Sequence, residues 1–174
     1  MSGEEIFSRY CPLVQDFIYA CGWQELRPVQ AEAGRVLFDT EDNLILSSDT
    51  ASGKTEAVFF PIITDMTESP ANSVEVLYIA PLKSLINDQF YRIETLLLDS
   101  GIPVHHWHGD VSQSHKKKLL EEPRGILQIT PESLESMLIN RASDIIRIFG
   151  GLKYIIIDEI HTLMSADRGN QVIC

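Results

Sequence analysis

Two short polar stretches, one near residue 50 and one near residue 160, could together carry out phosphate chemistry. The first, SSDTASGKT at 47–55, ends in a Gly-Lys-Thr triplet. In a phosphate-binding loop, Gly53 would let the backbone approach the ligand, Lys54 would reach the β- and γ-phosphates, and Thr55 would place its hydroxyl on Mg²⁺. Ser48 stands where the usual loop has its first glycine. The alternative is a chance triplet at the start of a helix.

The second stretch is YIIIDEIH at 154–161, in which two acids follow an apolar run. A carboxylate at the end of a buried strand can hold a metal ion opposite the threonine of a phosphate loop. Asp158 would hold Mg²⁺ in this way, and Glu159 would be the general base that positions or deprotonates the attacking water. His161 could link this site to moving parts. The alternative is a solvated acidic turn after a core strand.

The elements around these stretches alternate between strand and helix. The pattern predicts strands at 43–47, 74–80, 103–108, 126–130 and 154–158, and helices at 12–20, 28–38, 54–67, 82–98, 112–122, 131–140 and 144–149. Most of these strands are continuously apolar, as in a parallel sheet covered on both faces. The carboxyl ends of such strands face one crevice, so Lys54 and Asp158 are expected to meet there although 104 positions separate them (158 − 54). Pro61 is expected to kink or interrupt its helix.

Composition indicates one globular domain and limits the partners. The chain has 174 residues, of which 44% are hydrophobic and 22% charged. Three cysteines without a CxxC pair favour a reducing, cytoplasmic setting, and neither a membrane span nor a secretory signal is evident. The net charge of −11 argues against general affinity for nucleic acid, but a local basic patch could still bind a phosphate backbone.

Taken with four further segments, the two stretches resemble a known family. GWQELRPVQ, TASGKT, APLKSLINDQ, HGD, TPESL and DEIH occur in this order. The chain is similar to the first RecA-like domain of superfamily 2 DEAD/DEAH-box helicases, most of all to the Lhr-like branch. The resemblance implies an α/β fold, a three-layer RecA-like P-loop NTPase domain whose mostly parallel central sheet has helices on both faces. It also implies a single domain over 1–174, with 1–40 as a helical lead-in.

The resemblance implies roles for particular residues. The cofactors would be ATP and Mg²⁺, with the base contacted by Arg27 and Gln30 and the phosphates held by Thr50, Ala51, Ser52, Gly53, Lys54 and Thr55. The nucleic-acid backbone would be contacted by Pro81, Lys83, Ser84, Gly109, Thr130, Pro131 and Glu132. DNA is the expected partner, because this branch works mainly on DNA, and RNA is the alternative. Thr130 and Pro131 would also suit a plain helix cap.

The chain also departs from the family pattern. Ala51 replaces a usual glycine, and Lys83 stands where DEAD-box proteins carry arginine. The sequence stops at Cys174, before a motif III or a second RecA-like domain with its arginine finger, a group worth ~10³–10⁵ in rate. We therefore expect a piece of a longer helicase that partners a second RecA-like domain and hydrolyses ATP poorly by itself.

Other functions and sites stay open at this level. A P-loop kinase or metabolic ATPase would need no nucleic acid, and the DEIH box with the APLKSLINDQ and TPESL segments argues against it. A degenerate nucleotide-binding scaffold would need no catalysis, and the intact Lys54, Asp158 and Glu159 argue against it for the parent protein. The histidines at 105–108 are disfavoured as a metal site, because neighbours on a strand point to opposite faces. The lysines at 116–118 are interpreted as a solvated helix face, with DNA contact as the alternative. Trp107 is expected to be packed rather than stacked on a base.

Overall fold

The computed structural model describes residues 2–47, 52–98 and 100–164 of the chain. Its contacts divide the chain into two compact units. We call Met1–Pro70 the N-terminal unit and Ala71–Cys174 the C-terminal unit, and each is described by itself. The single domain expected over residues 1–174 stays a prediction.

Helices form the N-terminal unit in its described part. They are α1 (Gly3–Arg9), α2 (Pro12–Ala20), α3 (Pro28–Asp39) and α4 (Lys54–Glu68). The ring of Phe60 on α4 is fully buried, and its centroid lies 5.7 Å from that of Tyr10 and 6.0 Å from that of Phe17. Burying an aromatic side chain of this size stabilises the fold by about 1.5–3 kcal/mol. This aromatic cluster fixes α4, whose first residue is the lysine of the predicted phosphate loop.

Three of these helices were predicted and α1 was not. Its signal is a capping box: the Ser2 hydroxyl accepts a hydrogen bond from the backbone N–H of Glu5, and the Glu5 carboxylate accepts one from the backbone N–H of Ser2 at 2.7 Å. Pro61 lies inside α4 and does not interrupt it, although proline removes one backbone donor from the helix.

The predicted strand at 43–47 is wrong. Residues 41–47 have no regular secondary structure, and the side chain of Ile45 is 87% exposed. An apolar run becomes a strand only when its N–H and C=O groups find a neighbouring ladder. In the described part of the chain, this run pairs with no strand.

The C-terminal unit is built on a parallel sheet. Its described strands are β1 (Val74–Ile79), β2 (Val104–Trp107), β3 (Gly125–Ile129) and β4 (Tyr154–Ile157), in the spatial order β2-β3-β1-β4. All three pairings are parallel, and β4 pairs with β1 so that Tyr78 lies opposite Ile156 and Ile79 opposite Ile157. The carboxyl ends of all four strands therefore lie at one edge of the sheet.

Helices cover both faces of this sheet. They are α5 (Lys83–Leu96), α6 (Gln113–Glu121), α7 (Pro131–Asn140) and α8 (Ile145–Phe149), followed after β4 by α9 (Ile160–Met164), which was not predicted. Leu119, Met137 and Ile148, from α6, α7 and α8, pack in one core cluster with Trp107 and Leu127. On the opposite face, Phe90 of α5 packs against His106, the neighbour of Trp107 on β2. The predicted three-layer α/β fold with a parallel sheet is confirmed.

Candidate nucleotide site and nucleic-acid groove

The N-terminus of α4 carries the predicted phosphate loop. Gly53 precedes the helix with φ at +90°, a left-handed conformation that glycine adopts at no steric cost. Lys54 and Thr55 form the first turn, and the N-terminus of a helix favours the binding of a phosphate. Thr50 and Ala51 lie outside the described residues, and Ser52 is partly buried beside Gly53.

The two predicted base-contacting residues lie directly against this loop. A Cβ added to Gly53 would lie 2.7 Å from Nε2 of Gln30 and 3.4 Å from Cδ of Arg27. Gln30 is fully buried, and its Oε1 accepts a hydrogen bond from the backbone N–H of Arg27 at 2.9 Å. The Arg27 guanidinium lies 5.8 Å from the Trp23 ring. Arg27 and Gln30, at the start of α3, therefore lie directly beside Gly53 at the start of α4.

Nε2 of Gln30 has no hydrogen-bond partner among the described residues. A buried donor without an acceptor costs ~1–3 kcal/mol. A ligand with an acceptor at this position would remove that cost, and a purine base carries such acceptors on its edge. In its chemistry, an amide donor beside a glycine that allows close backbone approach suits an adenine nucleotide.

Asp158, the first acid of the DEIH stretch, follows the last residue of β4. The backbone N–H of Asp158 donates to the carbonyl of Ile79 at 2.9 Å, which extends the ladder between β1 and β4 by one residue. The Tyr78 hydroxyl donates a hydrogen bond to Oδ2 of Asp158, and the backbone N–H of Glu159 donates to Oδ1 at 2.9 Å. Burial and the adjacent Asp158 carboxylate raise the pKa of Tyr78. The carboxylate is therefore held in one orientation by donors on both oxygens.

Glu159 leaves the strand in a left-handed backbone conformation, with φ at +50°. For a residue with a Cβ this conformation costs roughly 1–2 kcal/mol. The Glu159 side chain is partly exposed, and its Oε2 lies 3.3 Å from Nδ1 of His161. The two consecutive acids therefore have different partners: Asp158 is held by Tyr78, and Glu159 lies beside His161.

The meeting of Lys54 with Asp158 stays a prediction, because the first belongs to the N-terminal unit and the second to the C-terminal unit. What the structure brings together are Arg27, Gln30 and Gly53 in one unit, and the predicted backbone-contact segments in the other.

These segments line one open groove of about 780 Å³ at the carboxyl ends of β1, β2 and β3. Of the predicted residues, the groove is lined by Pro81, Lys83, Ser84, Gly109, Thr130 and Glu132. Pro131 does not line it and is buried at the first position of α7. Three loops that are distant in sequence thus form one surface.

Lys83 links two of these loops. Its Nζ lies 2.9 Å from Oδ2 of Asp110, and a Cβ added to Gly109 would lie 3.5 Å from the same Nζ. The hydrogen bond from Lys83 lowers the pKa of the Asp110 carboxyl. Both side chains are well exposed, so this ion pair adds little to stability.

Thr130 occupies the N-cap position of α7 without capping it. Its side chain makes no cap hydrogen bond, and its hydroxyl donates to Oγ of Ser133 at 3.0 Å. Thr130 and Pro131 therefore occupy the two positions that the cap interpretation gave them, but the Thr130 hydroxyl does not make the cap hydrogen bond. The N-terminus of a helix suits a phosphate oxygen, and the N-terminus of α7 has no side-chain cap from Thr130.

The histidines of β2 serve packing. The His106 ring lies 4.3 Å from that of Phe90 and 5.8 Å from that of His115, and burial lowers its pKa. Nowhere in the described ranges do three potential metal ligands come together.

No described helix is both long and apolar enough to cross a bilayer.

Sequence reasoning missed Tyr78. The available signal was a lone hydroxyl near the end of an otherwise buried strand, but its partner could be found only through the pairing of β1 with β4. Trp107 is 8% exposed and part of the core, as expected.

Comparison with known proteins identifies the family. Residues 27–173 match the model of the DEAD/DEAH box helicase family. The chain belongs to this family. The ATP-dependent helicase Lhr-Core of Methanothermobacter thermautotrophicus is 33% identical over 73% of the chain and 16% of its own length. A Mycolicibacterium smegmatis protein named "Lhr helicase/ probable uracil glycosylase" is 27% identical over 97% of the chain and 12% of its own length.

A solved structure agrees with these relatives. The Mycobacterium smegmatis helicase Lhr, bound to ssDNA and AMP-PNP, is 25% identical to this DEAD/DEAH box chain, with a TM-score of 0.79 over 96% of this chain and 22% of that one. The RecA-like fold and the resemblance to the Lhr-like branch are confirmed. The chain spans only 12–16% of the length of the two curated relatives.

Proposed function

We propose that this chain is the ATP-binding motor domain of a helicase that couples ATP hydrolysis to translocation on, or unwinding of, DNA. The observation that carries the proposal is the contact of Gln30 with Gly53. It places a buried amide without a hydrogen-bond partner beside the phosphate loop. The amide would contact the base, and the loop would contact the phosphates.

The residues present suit ATP and Mg²⁺. Arg27 and Gln30 hold the base, while Gly53, Lys54 and Thr55 hold the phosphates at the N-terminus of α4. Thr55 and Asp158 are the residues proposed to hold the metal. Bound Mg²⁺ would neutralise charge that develops on the phosphates. Glu159 accepts the proton of the attacking water, and Tyr78 keeps Asp158 in position.

The groove at the carboxyl ends of β1, β2 and β3 is the proposed nucleic-acid site. Its contacts, a lysine and the first-turn N–H groups of α7, recognise phosphate rather than bases, which suits a motor that must move along any sequence. The M. smegmatis Lhr structure, which contains both ssDNA and a nucleotide analogue, supports DNA as the partner. RNA is the alternative that direct binding measurements would distinguish.

The test uses the natural full-length protein. AMP-PNP binding is expected to be lost in Lys54→Ala and kept in Lys118→Ala, an exposed lysine outside the loop. ATP hydrolysis should rise on addition of single-stranded DNA and fall at least 100-fold in Glu159→Gln, as removal of a general base predicts. A rate of ATP hydrolysis that neither DNA nor RNA changes would indicate a metabolic ATPase. Nucleotide binding without hydrolysis would indicate a scaffold.

A further inference from the structure

The three consecutive lysines on α6 lie in three different surroundings. Nζ of Lys117 lies 3.3 Å from Oε1 of Glu121, one turn further along the same helix. Lys118 lines a separate cavity beside His105 and His115. Lys116 lines the groove that the three predicted backbone-contact segments form. The interpretation of this run as a solvated helix face holds for Lys117 and does not hold for Lys116.

Lys116 is positioned by Trp107. Its Nζ lies 5.5 Å from the centroid of the indole ring, and its side chain is partly buried, whereas those of Lys117 and Lys118 are exposed. A contact of this kind is worth ~0.5–1 kcal/mol. Trp107 is held in place by the core cluster, so the ammonium group of Lys116 lies over a ring that has little freedom to move. Less side-chain entropy is then lost when Lys116 binds a ligand.

The charge of the groove depends on this lysine. Lys83 is paired with Asp110, and Glu132 places a carboxylate among the lining residues. Lys116 makes no ion pair with any residue that the structure describes. The guanidinium group of Arg141 also lies near the Trp107 ring, 5.8 Å from its centroid. Arg141 is paired with Asp144, however, with Nη1 3.7 Å from Oδ2. On a chain of net charge −11, Lys116 supplies the local positive charge that a phosphate needs.

We propose that Lys116 contacts a backbone phosphate of the nucleic acid in this groove. The contact adds to those of the three predicted segments and comes from a helix outside them. It rests on the proposed function, since the groove must hold nucleic acid. Because the contact is to phosphate, it contributes equally to every sequence.

The test compares Lys116→Met with Lys117→Met in the full-length protein, with AMP-PNP present. Methionine keeps an apolar stem over Trp107 and removes the charge, and both variants change the net charge equally. Binding of a labelled oligo(dT) and of a mixed-sequence strand is followed by fluorescence anisotropy from 50 to 200 mM salt. Lys116→Met should weaken both about 3- to 10-fold and reduce the slope of log K against log salt by about 0.7.

The outcomes distinguish the role of Lys116 from the proposal that the groove binds nucleic acid. Equal binding by Lys116→Met and Lys117→Met, with weaker binding by Lys83→Met, would overturn the role of Lys116 and leave the groove in place. Absence of binding by the unsubstituted protein to DNA and to oligo(U) would overturn the proposed function and the Lys116 contact together. A loss confined to one base sequence would also contradict a phosphate contact.

Discussion

The hydroxyl of Tyr78 on β1 donates a hydrogen bond to Oδ2 of Asp158, the residue that follows β4. The two residues are 80 positions apart in sequence and are brought together by the parallel pairing of their strands. Tyr78 is 3% exposed, so water is hardly able to replace Asp158 as the hydrogen-bond partner of its hydroxyl. This hydrogen bond therefore fixes the proposed metal-binding carboxylate.

Tyr78→Phe should separate positioning from packing. Phenylalanine fills the same space and removes the donor, so we expect a loss of about 1–3 kcal/mol in the free energy of unfolding. We also expect a several-fold rise in the Mg²⁺ concentration that gives half-maximal ATP hydrolysis. Thermal unfolding and a Mg²⁺ titration at saturating ATP measure the two effects.

Tyr91→Phe is the matched control, because Tyr91 is 66% exposed on α5. It should change neither quantity. A Tyr78→Phe protein with reduced stability and an unchanged Mg²⁺ requirement would show that Tyr78 only supports the fold.

Gly53→Ala should lose nucleotide binding as well as stability. Alanine at φ +90° is strained by roughly 1–2 kcal/mol, and its Cβ would lie 2.7 Å from Nε2 of Gln30. Gly22→Ala is the control for strain alone, since Gly22 has φ at +70° and no atom within 4 Å of an added Cβ. Both variants should melt at lower temperature, and only Gly53→Ala should lose AMP-PNP binding by calorimetry. Equal nucleotide affinity in the two variants would argue against a tight fit at the loop.

Gln30→Leu should reduce the preference for adenine. The buried leucine has nearly the volume of glutamine but offers no donor to the base, and a lost hydrogen bond of this kind is worth ~1 kcal/mol, or about fivefold in affinity. Competition between ATP and GTP for a fluorescent analogue measures the preference. Gln15→Leu, in the same unit but away from the loop, should leave the preference unchanged. An unaltered ATP-to-GTP ratio in Gln30→Leu would remove the base-reading role.

Acidification should destabilise the protein through His106. Burial lowers the pKa of this side chain in the folded protein, so the unfolded chain binds the proton more readily. The free energy of unfolding should therefore be unaffected above about pH 6.5 and decrease below it, by at most ~1.4 kcal/mol per pH unit for this group. Urea unfolding at pH 7.5 and 5.5 tests this. His106→Gln should reduce the pH dependence without abolishing it, because burial also lowers the pKa values of His105 and His108.

Local sequence patterns predicted most of the fold and the chemistry of single loops. The continuous apolar runs at β1, β3 and β4 and the helices between them were correctly assigned. Burial on both faces explains the runs of β1 and β3, whereas residues of β4 alternate between partly buried and exposed. The run at 43–47 carries the same signature without forming a strand, since pairing depends on a partner that the run itself does not contain. The capping box at Ser2 was a local signal that was overlooked.

The amino-acid sequence by itself determined which residues could bind phosphate and accept a proton, and in which order the elements follow. Only the tertiary structure decided which of these residues are neighbours. The hydrogen bond from Tyr78 to Asp158, the buried amide of Gln30 beside Gly53 and the placement of Lys116 over Trp107 each join positions with no common local pattern. The physical reason is that strand pairing and side-chain packing act between distant segments, whereas periodicity and capping act between residues a few positions apart.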